Sequence, residues 1–132
     1  MVFSAAALQA CATRWGGDIH LPQGDAVQGR KAFVELRCHA CHEIEGLDAP
    51  TPIVAATRVV LRGETARGET YGDLVTSIAN PSHRLARGYP PEAVAVDGVA
   101  LMSLIRLNDV MTVQQLVDLV AFLQSEYDVA PP

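Results

Sequence analysis

Cys38-His39-Ala40-Cys41-His42 is the stretch on which the reading of this chain turns. Two thiols three positions apart share one turn of backbone, and an imidazole follows the second at once. A structural zinc site needs four ligands, usually completed by a second Cys or His pair, and none follows at suitable spacing. A thioredoxin-type redox pair expects a strand before it and a βαβ unit around it, whereas a helical pattern leads into Cys38. A plain disulfide between Cys38 and Cys41 leaves His42 without a purpose.

The remaining reading is C-x-x-C-H, the signature of covalent haem attachment. At this spacing the two thiols reach the two vinyl groups of one porphyrin, and His42 sits beneath the ring as the proximal iron ligand. One covalently attached haem c is the expected cofactor, held through Cys38 and Cys41. A large flat apolar group in the core also accounts for an aromatic content of only 5 %.

The rest of the composition agrees with a small packed domain. The chain has 132 residues, 49 % apolar and 19 % charged, enough for one core and too few for two. Ten basic against fifteen acidic residues give a net charge of −5. That excludes a nucleic-acid partner, which requires a basic face to neutralise phosphates. No apolar run reaches the ~18–20 residues of a membrane span, so no transmembrane helix is expected.

Three helices are predicted around the motif. Asp25, with Gln28 three residues on, has capping-box spacing at the start of a helix over 25–37. Val27, Phe33 and Leu36 are its apolar positions, and Gly29 weakens it by about 1 kcal/mol relative to Ala. Thr70 and Asp73 open a second helix over 71–79, in which Leu74, Val75 and Ile78 share a face and which Asn80-Pro81 stops. Thr112 and Gln115 open the third, over 113–127, whose apolar stripe is Val113, Leu116, Val117, Val120, Leu123 and Tyr127. Alternation around Asp97-Gly98 predicts a small β-hairpin near 94–101. The fold class is therefore mainly α.

Several blocks carry a family likeness. Gly29-Arg30-Lys31-Ala32-Phe33 lies just ahead of Cys38, Leu119-Val120-Ala121-Phe122-Leu123 fills the last helix, and Ile78-Ala79-Asn80-Pro81-Ser82, Gly88-Tyr89 and Asp97-Gly98 lie between. With the haem motif, they make the chain resemble class I monohaem cytochromes c of bacteria from about Asp25 to Tyr127. The resemblance implies a cytochrome c fold, three to five helices around one haem, with Gly29 and Phe33 crossing the last helix against Phe122. It implies a Met on the loop before that helix as distal iron ligand. Met102 suits this better than Met111, which directly precedes the Thr112 cap. His83 is a third candidate and gives a bis-His site, while His20 and His39 read as bystanders. An open sixth position is the remaining alternative. The family often has Pro straight after its Met, where this chain has Ser103. The resemblance also implies a Pro carbonyl that accepts from the other imidazole nitrogen of the proximal His; Pro52 fits the spacing better than Pro50. Arg58, Arg62 and Arg67 either meet haem propionates or form a solvated face.

Working back to the start, 1–10 reads as a signal-peptide-like segment in which Leu8-Gln9-Ala10-Cys11 resembles the lipobox of bacterial lipoproteins. Cys11 is then the lipidated residue; otherwise it is a thiol in an apolar tail. Residues 11–24, including Trp15, read as a tether, 25–128 as the haem domain and 129–132 as a tail. Three functions follow. The first is an electron carrier, itself not an enzyme, shuttling one electron between redox proteins that carry basic docking patches, on the periplasmic side of a bacterial membrane with peripheral attachment through lipid at Cys11. The second is a cytochrome subunit, the electron-exit module, of a dehydrogenase or oxidase. The third is a haem-based ligand sensor.

Overall fold

The computed structural model describes residues 21–50, 57–62 and 69–127. Cys11, Trp15, His20, Pro52 and Arg67, with the signal-like segment and most of the tether, lie outside the described residues.

Helix α1 spans Ala26–Glu35. It begins there because the Asp25 carboxylate accepts from the N–H groups of Val27 (2.7 Å) and Gln28 (3.1 Å), two donors that a helix start otherwise leaves unpaired. The expected reciprocal bond from Gln28 does not form. The Asp25 N–H instead donates to Asp118 Oδ1 at 2.8 Å, on the last helix. α1 ends two residues earlier than predicted, because Arg37 adopts a left-handed conformation (φ +59°) that turns the chain into the motif.

Helix α2, Tyr71–Ala79, opens with the predicted capping box: Thr70 Oγ1 accepts from Asp73 N–H and the Asp73 carboxylate from Thr70 N–H. Asn80 caps its end and Pro81–His83 continues as a short 3₁₀ turn. The single-turn helices α3 (Pro91–Val94) and α4 (Leu101–Leu104) flank a hairpin. Its strands, β3 (Ala95–Val96) and β4 (Val99–Ala100), pair antiparallel within the predicted stretch. Asp97 and Gly98 both have positive φ (+49° and +77°), as a two-residue hairpin turn of the primed type requires. A parallel bridge between β1 (His42–Glu43) and β2 (Val59–Val60) was not expected.

Helix α5, Val113–Tyr127, is capped by Thr112 and Gln115 as predicted, through bonds of 3.0 and 3.1 Å. It crosses α1 so closely that a Cβ at Gly29 would run into the Asp118 carbonyl and Phe122, and one at Gly24 into the Val117 carbonyl and Ala121. The packed structure thus already includes the end of the predicted tether. Phe33 and Phe122 meet edge to face beside the crossing, ring centres 5.8 Å apart, a geometry that adds about 1 kcal/mol to the burial of the rings. The buried residues of α5 are Val117, Asp118, Leu119, Val120, Phe122 and Leu123, so Val113 belongs outside the stripe and is exposed, as is Val27 on α1. The stripe broadens because α5 packs on α1 along one side and on α2 along another. The architecture is mainly helical, as the sequence led us to expect, with five helices among the described residues and, beside the expected hairpin, the additional β1–β2 pair.

Candidate functional site

The elements close around a cavity of about 240 Å³ whose lining is mostly apolar: Phe33 from α1, Leu74 and Ile78 from α2, Leu119 and Leu123 from α5. Protein interiors hold few spaces larger than a water molecule, so a cavity of this size and character suits a substantial apolar group.

One wall is the motif. After Arg37 the chain makes a 3₁₀ turn, Cys38–Ala40, closed by Ala40 N–H to Arg37 O (2.9 Å) and Cys41 N–H to Cys38 O (3.2 Å). Cys38, Cys41 and His42 all line the cavity. The backbone at His42 is held by its pairing with β2: Val59 N–H donates to Cys41 O at 2.8 Å and Leu61 N–H to Glu43 O at 2.9 Å. Burial pushes the Cys38 thiol up to about 11, with a smaller push from Cys41. Burial lowers the pKa of the His42 imidazole, opposed in part by the Val59 backbone, which favours the neutral ring with a free lone pair. Its Nδ1 is buried and has no hydrogen-bond partner among the described residues. His39, expected to be a bystander, does not line the cavity, although its Nδ1 is also buried and without a partner among the described residues.

Another part of the wall is the segment from Ala100 to Leu107. Leu101, Met102 and Ile105 line the cavity there, and the Met102 side chain is partly buried against the core. Met111 also packs on the core but is not part of the lining. His83 is exposed, its Nδ1 2.9 Å from Asn80 O, and it is likewise not in the lining. Cys38, Cys41, His42 and Met102 are thus gathered around one space, while Met111 and His83 are left out of it. Pro50 is exposed.

The charged residues at the cavity differ from those the sequence suggested. Thr57, Val59 and Leu61 face it in strand-like alternation, which turns Arg58 and Arg62 outward to pair with Glu43 (3.8 Å) and Glu45. Arg37, Arg84, Arg87 and Glu69 line it instead. Arg84 contacts Glu69 at 2.5 Å and Asp73 at 3.8 Å. Burial, with the Glu69 charge nearby, raises the pKa of the Tyr127 phenol above its ordinary value. The readable signal for Arg84 was its place two residues after the Asn80-Pro81-Ser82 block. Gly24 had no comparable signal, because it precedes the helix whose crossing it serves.

A covalent haem fits this donor set: paired thiols, a buried imidazole with a nitrogen unpartnered among the described residues, and a thioether, gathered around one mostly apolar cavity. A sequence model of the cytochrome c family matches residues 26–126, from the start of α1 to the last turn of α5. No curated protein and no solved structure matches the chain significantly.

Proposed function

The chain belongs to the cytochrome c family, and on that premise we propose that it is a single-haem carrier passing one electron at a time between two redox proteins, with no bond made or broken on a substrate. The observation that carries this reading is the convergence of Cys38, Cys41, His42 and Met102 on one apolar cavity. The family binds haem c covalently, and its haem supplies a one-electron Fe(III)/Fe(II) couple.

In this reading, Cys38 and Cys41 hold the group by thioether bonds, His42 offers an imidazole nitrogen to the iron and Met102 its sulfur. Imidazole and thioether together favour a higher reduction potential than two imidazoles. Phe33, Leu74, Leu119 and Leu123 exclude water from the site, and the low dielectric they create disfavours added charge at its centre. Pro52 is proposed to accept from His42 Nδ1, which would orient the ring and raise its basicity. Arg84, already drawn to the cavity by Glu69, is better placed than Arg58 or Arg62 to face acidic groups there.

A net charge of −5 supports partners with basic docking patches, bound weakly and more weakly still as salt rises. Covalent haem and the lipobox-like Leu8-Gln9-Ala10-Cys11 support a position outside the cytoplasm, on the periplasmic face of a bacterial membrane with Cys11 lipidated. No helix of the described residues is long and apolar enough to cross a membrane.

The ferric holoprotein tests the reading. Met102→Ala is expected to abolish the long-wavelength iron–sulfur absorption band while covalent haem remains; persistence of the band overturns Met102 as ligand. Ready binding of carbon monoxide by the reduced wild type near neutral pH would instead favour a ligand sensor.

A further inference from the structure

Met102 lies on a stretch of backbone with little regular support. α4 is a single turn without a side-chain cap, and Arg106 just beyond it lies in the left-handed region (φ +52°). The stretch is tied from outside, by bonds that converge on the end of α2 and the 3₁₀ turn after it. Ser82 Oγ accepts from the Ala100 N–H at 3.0 Å, and the Ser82 and Ser103 hydroxyls share a hydrogen bond at 2.7 Å, both partly buried. Further along, Asn108 Nδ2 donates to Ala79 O at 2.7 Å. Ser82 thus contacts the chain two residues before Met102 and one residue after it.

We infer that Ser82 and Ser103 are positioning residues for Met102: their shared hydrogen bond, with the Ala100 N–H bond, holds the thioether at the cavity and opposes its displacement by other ligands. The inference rests on the reading of Met102 as iron ligand. Nothing else among the described contacts clamps the residues on both sides of Met102. A hydroxyl pair also suits a ligand loop chemically, because it fixes the backbone without placing a competing nitrogen or carboxylate beside the iron.

The test is an imidazole titration of the ferric holoprotein, read as loss of the iron–sulfur band, for wild type, Ser82→Ala, Ser103→Ala and Ser103→Thr, with thermal midpoints recorded in parallel. Ser103→Ala is expected to let imidazole displace Met102 at about three- to tenfold lower concentration, the equivalent of one net hydrogen bond. Ser82→Ala, which loses two bonds, is expected to have at least that effect. Ser103→Thr keeps the hydroxyl and should stay within about twofold of wild type. Unchanged imidazole affinity in both alanine variants, with only the thermal midpoint lowered, overturns the inference and leaves the serines as ordinary packing. If Met102→Ala retains the band, the ligand reading falls and the clamp with it; if Met102→Ala loses it while the serine variants titrate like wild type, the clamp alone falls.

Discussion

At Arg37 and again at Arg106 a helical stretch ends, the backbone passes through the left-handed region, and a 3₁₀ turn follows: Cys38–Ala40, from which Cys38 lines the cavity, and Leu107–Asp109, from which Leu107 does. Each arginine in that conformation costs on the order of 1 kcal/mol, so both turns must be held by their surroundings. The means differ. On the motif side the backbone is secured by the β1–β2 pairing, and the two thiols offer covalent attachment points. On the Met102 side Ala100 is paired with Ala95 in the β3–β4 hairpin, but beyond it the chain is secured by the Ser82, Ser103 and Asn108 side chains, which any exchange of rotamer can release. In the proposed reading, with Cys38 and Cys41 as covalent attachment points and Met102 as distal ligand, such a site can surrender that ligand without losing the group it binds.

The widest separation between the walls should come from replacing both Cys38 and Cys41 with Ser. Haem should then be fully extractable by acid–acetone, whereas Met102→Ala should leave it attached; attachment surviving the double change would erase the contrast. Gly29→Ala should strike both walls together, because α1 leads into one and α5 lines the cavity beside both. Its methyl group meets backbone that cannot step aside. A loss of about 3 kcal/mol in denaturant unfolding is expected, and a loss below ~1 kcal/mol would mean the crossing is looser than described. Met111→Ala should sharpen the contrast with Met102→Ala by keeping the iron–sulfur band while stability drops by about 1–2 kcal/mol for a half-buried thioether. The smallest effect concerns acid. The Thr70 side chain, with its backbone N–H, holds the Asp73 carboxyl below its ordinary pKa. Because the folded value is depressed, this stabilisation is complete above about pH 4 and is lost as pH falls through the folded value. Asp73→Asn should therefore flatten the acid limb of a thermal-midpoint profile and leave its neutral plateau nearly level.

The two walls also differ in how plainly the amino-acid sequence announces them. Cys38, Cys41 and His42 sit within five residues, and their chemistry is written in their spacing. The caps at Thr70 and Thr112 are equally plain, since a box of two residues three apart is a local signal. What escapes is held across distance. Gln28 occupies the correct position to close the first cap, yet the Asp25 N–H bonds to Asp118, 93 residues from Asp25. The Ser82–Ser103 pair spans 21 residues, and nothing near either serine announces the other. Arg58 and Arg62 are plausible neighbours of the cavity by order along the chain, but the alternation set by β2 faces them outward. Met102 could be placed only by likeness to a family; the local pattern around it is ordinary, and Ser103 in place of the usual Pro offers no hint of how the loop is held.

The Gly29 crossing has a consequence for the order of assembly. It joins the first helix to the last, so everything from α2 to α4 must be synthesised before α1 has its partner. Until α5 is available, Phe33 lacks its edge-to-face partner Phe122, and the cavity beside Cys38 and Cys41 lacks the wall formed by Leu119 and Leu123. Closure of the fold then leaves Cys38 partly buried and Cys41 exposed, so the final helix completes the apolar wall of the cavity without burying both thiols.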